Sequence, residues 1–147
     1  MVEANPQTSE CSLDLPGNLQ PWCSLILNYS EINRLDPYLV SAVMLQESGG
    51  QPDVISASGA VGLMQVMPRD GIAASFECIN GPCFTGRPSM QELLNPEFNL
   101  DYGCNMLTRL ISEKGSIRDA LKAYGPRDVG YIYADKVLGI YNSIVAP

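Results

Sequence analysis

One carboxyl stands apart by its spacing. Val40, Val43, Met44 and Glu47 recur at intervals of three and four, so a helix through them puts Glu47 on the apolar face. Gly49-Gly50 stops that helix and leaves Glu47 in its last turn. Burial against apolar neighbours disfavours a charged carboxylate, and the negative end of the helix dipole does the same. Both effects raise its pKa. A carboxyl kept protonated near neutral pH is what a general acid for glycosidic-bond cleavage requires. A helix-end Glu that snorkels to solvent has the same spacing, so spacing alone leaves both readings open.

The rest of the composition narrows the chemistry. The 147 residues include no histidine, which removes histidine-based nucleophile systems, histidine metal ligands and a histidine general base. The net charge of −7 argues against nucleic acid as a partner. It also gives no pull toward anionic lipid. The longest apolar run, Tyr38 to Leu45, is far too short to span a bilayer, for which about 18 residues are needed. The first twenty residues have neither the basic start nor the apolar stretch of a signal peptide. A leader is therefore expected to have been removed, or export to follow another route.

Length predicts one domain, and the pattern predicts a mainly α fold. Residues 1–20 are polar and read as an extended N-terminal arm, with residues 21–147 as the functional domain. From Pro21, Trp22, Leu25, Ile26, Tyr29 and Ile32 share a helix face. Asp36-Pro37 is an N-cap and first-turn pair for the helix that carries Glu47. Residues 50–62 read as a loop with at most a small β-hairpin, Pro68 to Ala74 as a short helix, and residues 76–88 as loop. Ser89–Leu94 reads as a helical turn, and Asn95-Pro96 opens a long helix ended by Gly115. Ser116 to Asp119 resembles a capping box; its helix places Ile117, Ala120, Leu121 and Tyr124 on one face and breaks at Gly125-Pro126. A last helix from about Asp128 to Ser143 buries Tyr133, Val137, Ile140 and Tyr141.

Five cysteines remain. Their spacing does not pair into zinc-type units, and no histidine completes a site, so no metal or cofactor is expected. Cys104 lies on an apolar helix stripe and reads as a free buried thiol. Cys78–Cys83 would then close a loop and Cys11–Cys23 would pin the arm to the first helix, which suits an oxidising compartment. Five reduced thiols in a cytoplasmic protein are the alternative.

The residues after Glu47 add a resemblance. Glu47-Ser48, Ser56 nine positions beyond the Glu, the string Gly59-Ala60-Val61-Gly62-Leu63-Met64-Gln65 and Met67-Pro68 match in type and spacing the soluble lytic transglycosylase family of lysozyme-like enzymes. Leu94 to Asn99, Ala120 to Tyr124, and Tyr133 to Val137 continue the resemblance in order, from about Tyr29 to Tyr141. It implies a lysozyme-like helical domain with a small irregular β region after the catalytic helix. The implied substrate is the glycan strand of peptidoglycan, cut between N-acetylmuramic acid and N-acetylglucosamine. Glu47 would protonate the leaving oxygen, then take a proton from the muramic acid C6 hydroxyl, which closes on C1 to leave a 1,6-anhydro end. Gln65 and Met64 would line the glycan groove, Met64 by apolar contact unless it is a core residue. Ser56 would bond an N-acetyl group, Tyr124 would place its hydroxyl near Glu47 or the sugar, and Tyr133 would contact substrate.

Hydrolysis normally uses two carboxylates. Asp53 and Asp70 are the candidates for a second, and neither belongs to a recognisable pattern. A hydrolysing muramidase or chitinase on the same fold, and a non-catalytic wall-binding module, are the alternatives. The resemblance and the cysteines together imply a monomer working in the periplasm or outside the cell. Two departures from the family stand out: Gly125 replaces the usual Asn after Tyr124, and Arg69-Asp70 replaces the usual Gly-Thr.

Overall fold

The computed structural model describes residues 11–146, so the first half of the expected arm lies outside the described residues. Residues 11–19 carry no helix or strand, yet Leu15 and Leu19 are buried in the core. A 3-10 turn, Gln20–Trp22, leads into α1 (Cys23–Ile32), so the α-helix proper starts two residues after Pro21. Cys23 and Ile26 face the core, but Ile32 is 63% exposed. The helix ends there, and Asn33 caps it before the face can be continued.

Asp36 accepts a hydrogen bond from the Tyr38 N–H at 2.8 Å and Pro37 takes the first turn of α2 (Pro37–Glu47), as expected. The single apolar stripe inferred for this helix is too narrow a description. Leu39 to Met44 are all buried, because other elements surround α2 on every side. It packs most extensively on the last helix and also on α1.

The chain then runs irregularly through residues 48–70. Single β-bridges join Ile55 to Val61 and Val61 to Val66, and this is all the β structure in the 50–67 stretch. A 3-10 turn, Gly71–Ser75, follows. Residues 76–88, expected to be loop alone, contain a two-stranded antiparallel hairpin of β1 (Glu77–Cys78) and β2 (Gly81–Pro82), pairing Glu77 with Pro82 and Cys78 with Gly81.

The short α3 (Met90–Leu93) starts with a full Ser89/Glu92 capping box, a pattern present in the sequence and missed there. Asn95 caps α4 (Pro96–Lys114) through the Glu97 and Phe98 N–H groups, and Gly115 ends it in the left-handed conformation. Ser116 caps α5 (Ile117–Tyr124) by accepting from the Asp119 N–H at 3.1 Å. The return half of a capping box is replaced: the Ser116 hydroxyl donates to the Asp119 carboxylate at 2.9 Å. Ile117 lies at the helix start and is exposed, while Ala120 and Leu121 are buried.

The last helix, α6 (Ile132–Val145), begins four residues later than expected. Asp128 and Gly130 both have positive φ, 63° and 60°, and that turn delays the start. α4 packs on α5, α5 on α6, α6 on α2, α2 on α1 and α1 on α4, so the helices form a closed ring that includes the Glu47 helix. Disulfides join Cys11 to Cys23 and Cys78 to Cys83, and Cys104 is free and buried, as expected from the spacing. Among the described residues no helix is long and apolar enough to cross a membrane.

Candidate active site

Glu47 is half-buried at the end of α2. The turn after it is anchored from the N-terminal segment. Trp22 donates its indole N–H to the Gly50 carbonyl at 2.7 Å, and the Asn18 amide donates to the Gly49 carbonyl at 2.8 Å. Gly50 has φ 86°, and a Cβ there would sit 2.4 Å from the Asn18 carbonyl oxygen, so the close approach requires glycine. Ser48 braces the same turn: its hydroxyl donates to the Met44 carbonyl and accepts from the Gly50 N–H.

Burial pushes the Glu47 carboxyl up to about 7, against the opposing effect of one hydrogen bond. That bond comes from Tyr133 on α6, whose hydroxyl donates to Glu47 Oε2. Tyr133 is only 6% exposed, and burial followed by the Glu47 charge lifts its own pKa strongly. Tyr124 on α5 is the second phenol of the site. Its pKa is raised mainly by burial and then by the Glu47 charge, while the Arg87 guanidinium acts the other way. Its hydroxyl donates to the Met64 carbonyl at 2.7 Å rather than to Glu47. Tyr124 was expected near Glu47 or the sugar; the phenol in hydrogen-bond contact with Glu47 is Tyr133.

The Gly62–Val66 loop is built around Asn99, a fully buried residue of α4. Asn99 Oδ1 accepts from the Met64 N–H at 2.8 Å, and Nδ2 donates to the carbonyls of Val61 (2.7 Å) and Leu93 (2.9 Å). Gly62 has φ 77°, and a Cβ there would lie 2.4 Å from Asn99 Nδ2. Gly103 of α4 leaves room for the Met64 side chain, which a Cβ would approach to 2.6 Å.

These seats correct one expectation. The Met64 side chain has no exposed surface and packs in the core, so the groove contact inferred for it is not available; what it offers the site is its backbone carbonyl, held by Tyr124. Gln65 is half-buried at φ 51°, with its amide nitrogen donating to the Val54 and Gly62 carbonyls at 3.1 and 3.0 Å. Only its amide oxygen is left for another partner. Ser56 is half-buried and builds its own turn: its hydroxyl accepts from the Ala60 N–H at 3.0 Å and pairs with Ser58 at 3.1 Å. Asp70 accepts from the Met90 N–H at 2.8 Å and so has a structural tie away from Glu47. Asp53 is exposed in a turn.

Sequence reading missed two residues here. Asn99 appeared only as part of a weak motif, since nothing local shows that a helix Asn is buried. Arg87, half-buried, donates to the Met67 carbonyl at 3.1 Å and lies 5.2 Å from the Phe84 ring centre. Its environment comes from three separate segments, and no spacing rule could have assembled it. Among the described residues no group of three or more Asp, Glu or Cys could hold a metal ion. The arrangement can give up a proton near neutral pH and stabilise the resulting carboxylate through Tyr133.

A mostly helical domain, wound around one buried carboxyl beside an irregular β stretch, has the lysozyme-like architecture. Its structural neighbours agree. The lytic transglycosylase Slt of Pseudomonas aeruginosa, seen as an inactive mutant, superposes with a TM-score of 0.61 at 21% identity over 83% of this chain and 24% of that one. The 70 kDa soluble lytic transglycosylase of Escherichia coli gives 0.55 at 24% identity over 84% and 20%. At those identities the likeness speaks for the fold alone. Sequence goes further: residues 24–129 match the transglycosylase SLT domain, and the chain belongs to that family. Among its relatives, the endo-type membrane-bound lytic murein transglycosylase A of Klebsiella pneumoniae is 42% identical over 52% of this chain. The membrane-bound lytic murein transglycosylase E of Buchnera aphidicola is 32% identical over 71% of it. The chain spans 36% and 46% of the length of these two relatives.

Proposed function

We propose that this protein is a peptidoglycan lytic transglycosylase that cleaves the β-1,4 bond between N-acetylmuramic acid and N-acetylglucosamine and leaves 1,6-anhydro-muramic ends. The observation that carries the reading is the single carboxyl of Glu47, raised to about 7 by burial and hydrogen-bonded by Tyr133. Membership of the transglycosylase SLT family supplies the substrate class. In the first step Glu47 gives its proton to the leaving glycosidic oxygen as the C1–O bond breaks. Glu47, now a carboxylate with Tyr133 donating to it, takes the proton of the muramic acid C6 hydroxyl. That oxygen bonds C1, and the carboxyl is regenerated. The nucleophile is internal to the substrate, so the cycle needs no second carboxylate. Asp53 and Asp70 fit this, since neither is hydrogen-bonded into the Glu47 site.

Residues 21–147 form the catalytic domain in this reading, and residues 11–20 anchor the end of its central helix. Gln65, through its amide oxygen, and Ser56 remain the polar groups offered to the sugars. Two disulfides support work in an oxidising compartment, at the cell wall. The net charge of −7 gives no attraction to an anionic wall, so binding rests on hydrogen bonds and ring contacts.

Digestion of purified peptidoglycan with mass spectrometry of the released sugars tests the proposal. Anhydro ends are expected. Reducing ends would mean hydrolysis by the same acid, and no release would mean a binding module.

A further inference from the structure

Gly125 follows α5 and begins the short turn toward α6. Its backbone is extended, with φ −79° and ψ −168°, a conformation open to any residue. Backbone geometry therefore does not call for glycine; space does. A Cβ at Gly125 would lie 2.3 Å from Cδ2, 2.4 Å from Cγ and 2.8 Å from Cε2 of Tyr133. The collision is at the base of the ring, so spinning the ring about its own axis does not relieve it. The whole side chain must swing. The same ring is packed in the core and carries the hydroxyl that holds Glu47. Gly139, on α6 itself, is a contrast, because a Cβ there meets nothing within 4 Å.

We propose that Gly125 is a positioning residue: its missing side chain is the seat of the Tyr133 ring, and through that ring it holds the Tyr133 hydroxyl on Glu47. The inference rests on the reading of Glu47 as the acid and base of the reaction. Among the described residues two ionisable groups feel the Glu47 charge: Tyr133 from α6, in hydrogen-bond contact, and Tyr124 from α5, bonded instead to the Met64 carbonyl. Arg87 and Cys104 act on Tyr124. Tyr133 is thus the group whose displacement changes Glu47, and losing a hydrogen bond to the carboxylate favours the protonated form.

The test is a carbon-13 NMR titration of the Glu47 carboxyl in glutamate-labelled protein, assigned by its loss in Glu47→Gln, alongside the pH–rate profile on peptidoglycan. Gly125→Ala is expected to move the Glu47 midpoint upward by about one pH unit, matching Tyr133→Phe, with no further shift in the double variant. Gly139→Ala is expected to keep the wild-type midpoint. A Gly125→Ala midpoint equal to wild type overturns the proposal, as does a Tyr133→Phe variant whose midpoint does not move. Folding is covered by a second measurement. Gly125→Ala is expected to lower the melting temperature in the native background but not in a Tyr133→Ala background, where the ring is gone. An equal loss in both backgrounds overturns the proposal. Cleavage retained by Glu47→Gln would instead defeat the catalytic reading and leave the titration result intact.

Discussion

At the scale of the residue, Glu47 links catalysis to stability. Burial pushes its carboxyl up to about 7 in the folded chain, from an ordinary value of 4.5. Between those values the folded chain holds a proton that the unfolded chain has released, so stability falls as pH rises through this window. A shift of that size corresponds to about 3 kcal/mol by pH 8, an upper figure for a group that is partly solvated. Glutamine keeps an oxygen to accept from Tyr133 and carries no charge to desolvate. Glu47→Gln is therefore expected to abolish cleavage and to unfold later in urea than the wild type at pH 8, with the difference shrinking toward pH 4. A stability difference that does not change with pH would contradict a buried, raised carboxyl. Activity follows the same titration with its own sign: the acid form starts the reaction, so cleavage declines as pH rises past about 7. The residue was legible in the sequence because a helix period of three and four and a Gly-Gly stop put it in the last turn of the helix, and the resemblance carried by the residues after it set it apart from a solvent-facing Glu. Its partner was not. Tyr133 and Tyr124 both sit on buried helix faces, and only the packing of α6 along α2, with α5 held against α6, decides which hydroxyl meets the carboxyl.

At the scale of the element, helix starts were the most readable part. Asp36, Asn95 and Ser116 cap the helices expected of them, since a cap is a local bargain between one side chain and the next two or three N–H groups. The start of α6 was misplaced because Asp128 takes a left-handed conformation that its sequence does not announce. The loop that presents Gln65 shows the same limit. Its seat is a side chain thirty-odd positions away, Asn99, which satisfies one N–H and two carbonyls in the core. Asn99→Ala leaves the Met64 N–H and the Leu93 carbonyl without this partner, while the Val61 carbonyl still accepts from the Val66 N–H, at a cost of about 2 kcal/mol or more. Urea denaturation should register that loss. If the loop also presents substrate-binding groups, KM should rise at temperatures where the variant remains folded. Asn99→Asp is expected to be worse than its size suggests. Both its oxygens accept, so it keeps the Met64 N–H and faces two carbonyl oxygens with no donor. Should Asn99→Ala unfold at the wild-type urea midpoint, the loop would have to be held by other contacts.

At the scale of the whole molecule, one buried helix is gripped from both chain ends. α6 packs along α2 and supplies Tyr133, while the N-terminal segment bonds the Gly49-Gly50 stop through Asn18 and Trp22. The Cys11–Cys23 disulfide fastens that segment, and Leu15 and Leu19 bury it in the shared core. The Cys78–Cys83 disulfide differs in every respect. It closes a hairpin whose strand residues are mostly exposed and whose tip, Ile79, is fully so. A crosslink stabilises a fold to the extent that the segment it restrains must unfold with the rest. Replacing Cys11 and Cys23 by Ser is therefore expected to cost about 3 kcal/mol and to lower the main calorimetric transition by several degrees. It should reduce cleavage as well, because the turn that ends at Gly50 loses part of its anchor. Replacing Cys78 and Cys83 by Ser should leave that transition nearly in place while exposing the hairpin to proteolysis. Equal losses in the two variants would mean that the hairpin belongs to the cooperative core, and a Cys11/Cys23 variant with full stability would mean that Leu15 and Leu19 hold the segment unaided.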